Sequence, residues 1–96
     1  MTITVTVHGK IQDGQKEKLS SFLEANLPNT RSAPGCRLVE VFFDLDETEL
    51  VLNEEWLTTE DHQQYISKIS DAGAYEELLG FFTEEPAVRY LKKTTL

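Results

Sequence analysis

Hydrophobic and polar residues alternate strictly over residues 2–10. Ile3, Val5 and Val7 fall on one side and Thr2, Thr4, Thr6 and His8 on the other, the period of a strand with one apolar face. Asp13-Gly14 then marks a turn. Leu19, Phe22, Leu23 and Leu27 follow at helical spacing in a segment rich in Lys, Glu and Ser, which predicts a helix over 15–32. Pro28 lies inside that pattern and is expected to kink or loosen the helix near its end, before Ala33-Pro34-Gly35 stops it.

Residues 34–56 read as a hairpin. The first arm is dense in β-branched and aromatic residues, Asp44-Leu45-Asp46-Glu47-Thr48 supplies turn chemistry, and the second arm runs from Glu49 to Leu57. Both faces are apolar. Strand parity puts Cys36, Leu38 and Phe42 on one side of the first arm and Val39, Val41, Phe43 and Leu45 on the other. In the second arm Leu50, Leu52 and Trp56 share one face while Val51 and Leu57 share the opposite one.

Beyond Trp56, Thr58 and Asp61 resemble a capping box, and Glu60 and Asp61 place negative charge where a helix N-terminus favours it. That helix carries His62, Tyr65, Ile66 and Ile69 on its inward face. Ser70-Asp71-Ala72-Gly73 interrupts it. A further helical segment aligns Ala74, Tyr75, Leu78, Leu79 and Phe82, closes at Glu84-Glu85-Pro86, and gives way to a last strand over 87–94. The order β-α-β-β-α-β, with the second helix broken, predicts one α+β domain over 1–96, a ferredoxin-like four-stranded antiparallel sheet with helices on one face. The uncovered face carries large apolar residues from the hairpin, so a homodimer packed sheet against sheet is expected.

Ninety-six residues suffice for one core without disulfides or a metal. No apolar run approaches the roughly 18 residues of a membrane span. The N-terminal residues lack the basic and apolar regions of a signal peptide, and a lone Cys36 leaves no internal disulfide, so the cytoplasm is the expected location. The net charge is −8, and residues 40–85 hold fourteen of the seventeen acids with Lys68 as the single base. Such a surface repels phosphate backbones and anionic lipid, which argues against nucleic acid and membrane as partners. Arg89, Lys92 and Lys93 on the last strand are expected to pair with the acidic hairpin or with a partner subunit.

Taken together, Pro34-Gly35-Cys36, the hairpin, Glu54-x-Trp56 and the helix beginning Thr59-Glu60-Asp61-His62 resemble the antibiotic biosynthesis monooxygenase (ABM) domain family over nearly the whole length. The resemblance implies a dimeric, α/β-barrel-like assembly of ferredoxin-like domains. It also implies one of several activities: cofactor-independent oxidation of quinols and polycyclic phenols, haem degradation, or isomerisation of a sugar phosphate. Many members of that family carry a histidine nine or ten residues after the tryptophan. Here those positions are Tyr65 and Ile66, and His62 lies one turn earlier, which weighs against haem binding.

No G-x-G-x-x-G, P-loop or close His, Cys and carboxylate cluster is present, so the chemistry is expected to use side chains alone, without cofactor or metal. His62 is the candidate general base, its ordinary pKa lying near neutrality. Tyr65, three residues on, is the candidate hydrogen-bond donor to a substrate oxygen. Trp56 offers a flat wall for an aromatic substrate, or a core position. Asn53 is a further substrate-binding candidate, but parity places it opposite Trp56, so the two share a site only if a bulge intervenes. Cys36 reads as a small buried hydrophobe. With these residues as the candidate site, the resemblance implies a monooxygenase that oxidises a quinol or polyphenol with O2; a non-catalytic dimer that binds a small ligand or is purely structural, and an isomerase on the same fold, stand as alternatives.

Overall fold

In the computed structural model, which describes residues 2–96, the elements are β1 (Ile3–Lys10), α1 (Lys16–Arg31), β2 (Cys36–Phe43), β3 (Glu49–Trp56), α2 (Thr59–Asp71), α3 (Ala74–Leu79) and β4 (Ala87–Leu91). The four strands pair antiparallel in the order β2-β3-β1-β4. This is the ferredoxin-like sheet, with α1 packed against β2 and α2 against β3 on one face.

Alternation decides which side chains enter the core. Val5 and Val7 of β1 and Leu50, Leu52 and Trp56 of β3 are buried on the helix side, where Leu19, Leu23 and Leu27 of α1 cluster with Val7, Leu50 and Leu52. Helix α1 continues through Pro28 to Arg31, three residues beyond the expected weak point. Pro28 withholds one backbone donor, and the helix runs only three residues past it before ending.

Cys36 does not share a face with Leu38. The register shifts between them, with Cys36 opposite Trp56 and Leu38 opposite Glu55, so Arg37 is the extra residue of a bulge. The bulge turns Cys36 inward, half-buried beside Val39 and Val41, and burial pushes its thiol above the ordinary range. The hairpin turn is held by Asp44, whose carboxylate accepts hydrogen bonds from the Thr48 and Glu49 amides and from the Thr48 hydroxyl at 2.7–2.9 Å.

The second helical region is shorter than its apolar spacing suggests. α3 ends at Leu79, and Phe82 instead forms an isolated bridge with Ile11 and is buried against α1 and the sheet. The last strand likewise stops at Leu91, well short of Thr94. Strand β4 lies at the edge farthest from β2, and every residue in it is exposed. Arg89 sits beside Thr6, across the sheet from the acidic hairpin, and among the described residues neither it nor Lys92 or Lys93 forms an ion pair. The sheet face away from the helices presents Leu38, Phe42, Leu57 and Leu91, each at least 36% exposed.

Candidate active site

The junction between β3 and α2 concentrates the chemistry. The chain leaves the sheet at Trp56 and enters α2 within three residues. The Thr58 hydroxyl caps the helix by accepting from the Asp61 amide at 3.0 Å. Gly35 makes the tight passage possible. Its φ of +86° suits glycine, its carbonyl accepts from the Leu57 amide at 2.8 Å, and a side chain there would run into Asp61. One helical turn past the cap, His62 is turned back over the sheet, and Tyr65 lies beside it on the same helix face.

A cleft of about 1040 Å³ separates α1 from α2 and α3 above the sheet. Phe22, Leu23 and Leu27 line one wall and Ile66, Ile69 and Leu78 the other. Glu54, His62, Tyr65, Thr30 and Tyr90 supply the polar groups at one end. Volume and lining match a small-molecule site, with apolar walls and a few convergent polar groups.

Glu54, which the sequence offers only as part of the Glu54-x-Trp56 motif and not as a site residue, belongs to this cleft. Its parity with Leu50, Leu52 and Trp56 turns a carboxylate into the protein, where it is 5% exposed. Trp56 Nε1 donates to Glu54 Oε1 at 2.8 Å, and His62 Nε2 stands 3.9 Å from the same oxygen. Burial pushes the Glu54 carboxyl above its ordinary pKa, against the opposing pull of the Trp56 hydrogen bond. Burial also pushes the His62 imidazole below its ordinary pKa, which keeps it neutral at physiological pH. On the far side of the ring, His62 Nδ1 is 2.9 Å from the Tyr90 hydroxyl. Tyr90, likewise not among the expected site residues, shares the inward parity of Val5, its partner across the ladder.

Of the expected site residues, Trp56, His62 and Tyr65 are brought together, with the indole ring 5.2 Å from the imidazole and 5.4 Å from the phenol ring. Trp56, however, is not a wall of the cleft. It has no exposed surface and lies beneath His62 and Tyr65, so it supports them and anchors Glu54. The Tyr65 hydroxyl is engaged by Thr30 of α1 at 2.5 Å, bridging the two sides of the cleft. Asn53 takes no part. β3 carries no bulge between positions 53 and 56, so Asn53 stays on the opposite sheet face, where it donates to Glu40 at 3.0 Å.

Residues 2–68 match the family model described as antibiotic biosynthesis monooxygenase. No curated protein matches the chain. Among solved structures, a conserved protein from Methanosarcina mazei Go1 superposes with a TM-score of 0.87 at 17% identity, over 98% of this chain and 94% of its own. Rv0793 from Mycobacterium tuberculosis gives 0.85 at 20% identity, over 100% and 98%. A structure described as an antibiotic biosynthesis monooxygenase gives 0.85 at 14% identity, over 97% and 99%. At these identities the structural likeness establishes the shared fold.

Proposed function

Because the chain belongs to the antibiotic biosynthesis monooxygenase family, we propose that its cleft binds a hydroxylated aromatic, a quinol or polyphenol, and that O2 oxidises it there without a cofactor. The observation that carries this reading is the placement of the buried His62, beside Glu54, Tyr65 and Tyr90, in a cleft lined largely by apolar side chains. Apolar walls of Phe, Leu and Ile side chains suit the ring system of an aromatic ligand. The net charge of −8 disfavours anionic ligands such as sugar phosphates, which weighs against the isomerase alternative.

In this reading the substrate supplies the electrons. Loss of its hydroxyl proton leaves an electron-rich anion, which passes one electron to O2; the two radicals then join at a ring carbon. Departure of water leaves a carbonyl. The balance is substrate plus O2 giving water and a product with one more oxygen and two fewer hydrogens. The protein contributes orientation, exclusion of water and management of the proton. His62 meets the substrate hydroxyl, Tyr65 and Thr30 border it, and Trp56 holds the constellation rigid from below.

A second copy of the chain over the open sheet face completes the proposed assembly, since Leu38, Phe42, Leu57 and Leu91 lie uncovered there. Oxygen uptake with a panel of quinols and hydroxyanthrones tests the activity. His62→Ala is expected to reduce turnover of an active compound by about 10²-fold or more while leaving the fold intact. Unchanged turnover in that variant would remove His62 from the chemistry, and no uptake with any compound would leave a ligand-binding domain.

A further inference from the structure

Glu54 has no role in the scheme above, yet it is the only carboxylate among the described residues to be buried. A hydrophobic residue at that inward position would continue the pattern of Leu50 and Leu52. Placing an ionisable group there costs desolvation, which a single hydrogen bond from Trp56 offsets only in part. The gap of 3.9 Å between Glu54 Oε1 and His62 Nε2 is too wide for a direct hydrogen bond and suits one oxygen atom bonded to both. His62 Nε2 makes no hydrogen bond to the described residues, and no sealed side-chain nitrogen or oxygen among them lacks a partner. Nε2 therefore keeps a face on the cleft that His62 and Glu54 both line.

Resting on the proposed hydroxyaromatic site, we infer that Glu54 and His62 form a slot for the substrate hydroxyl, in which Glu54 takes the proton and His62 Nε2–H donates a hydrogen bond to the resulting phenolate. Tyr90 sets this division of labour. If its hydroxyl donates to Nδ1, the single proton of a neutral imidazole must reside on Nε2, pointing into the slot. The proton moves from the substrate oxygen to a Glu54 oxygen, so the negative charge passes from the carboxylate to the phenolate and total charge is unchanged. The upward push on Glu54 makes its carboxylate a stronger base than an exposed one, and the low basicity of His62 keeps it a neutral donor. Glu54 is thus a catalytic residue and Tyr90 a positioning residue. The polar residues that α1 contributes to the cleft are the neutral Asn26, Asn29 and Thr30; the other ionisable groups lining the cleft are Asp61, Tyr65, Lys68, Tyr75 and Glu85.

The test does not depend on turnover. 4-Nitrophenol is titrated into the full chain by calorimetry, in buffers of different ionisation enthalpy, at a pH where the free probe is fully ionised. Binding of the phenolate beside Glu54 then requires uptake of close to one proton. Glu54→Gln keeps the acceptor for Trp56 and is expected to bind the phenolate at least as tightly with no proton uptake. His62→Gln is expected to bind more weakly and to retain the uptake. Nitrogen-15 spectra of His62 are expected to show an unprotonated Nδ1 in the wild type and a mixture of tautomers in Tyr90→Phe. Uptake that persists in Glu54→Gln or vanishes in His62→Gln, a protonated Nδ1 in the wild type, or no binding by either wild type or Glu54→Gln would overturn the assignment. Binding with the expected protonation, but no oxygen uptake with any oxidisable phenol, would leave the slot standing and remove the oxygenase reading.

Discussion

Burial acts on Glu54 and His62 in opposite directions, and the consequences for stability have opposite signs. The folded pKa of Glu54 lies above its ordinary value of 4.5, so the folded state binds more protons than the unfolded chain once pH passes that value. Stability from this group is full below pH 4.5 and is lost as pH rises through the folded pKa. For His62, the folded pKa lies below 6.5, so the unfolded chain binds more protons and stability is lost as pH falls below 6.5. Glu54→Gln should therefore be more stable than the wild type at pH 8, with the advantage shrinking toward zero as pH approaches 4. Denaturant unfolding at the two pH values checks this. Equal differences at both would mean that the carboxylate is not desolvated.

At the scale of elements, the β3–α2 junction sets the site, because it delivers Glu54, Trp56, His62 and Tyr65 from one short stretch. Thr58→Ala removes the cap and is expected to cost about 1 kcal/mol, read from chemical unfolding. A loss near zero would show that water or a neighbouring group replaces the hydroxyl. This junction was legible in the sequence: the Thr58 cap, the helical spacing of His62 and Tyr65, and the end of the strand at Trp56 are all local signals. What escaped was set by neighbours distant in the chain. The bulge at Arg37 reversed the side of Cys36, because register belongs to the pair of strands and not to either alone. Phe82 left its helix to bridge Ile11, seventy-one positions away. Glu54 was hidden by a different cause. Its inward parity is readable, but a carboxylate is rarely buried and one among fourteen acids in residues 40–85 carries no mark of its own, whereas in the packed protein it is 5% exposed. Tyr90 depended on β4 pairing with β1 rather than with the hairpin.

At the scale of the whole molecule, the helices cover one face of the sheet and leave Leu38, Phe42, Leu57 and Leu91 on the other. A four-stranded sheet with that much apolar side chain in water favours association, and sedimentation is expected to show a dimer at micromolar concentration. A well-folded monomer would refute the proposed assembly. The acidic surface, the cleft and the Glu54–His62 pair are the features on which the proposed oxidation of a neutral hydroxyaromatic by oxygen rests. The most direct test of that claim is turnover of an active quinol or hydroxyanthrone under ¹⁸O2, with mass spectrometry of the product. Oxygenation through the scheme above places a single labelled atom in the new carbonyl and the other in water. An oxidised product free of label, with the oxygen recovered as hydrogen peroxide, would identify simple oxidation and contradict the account.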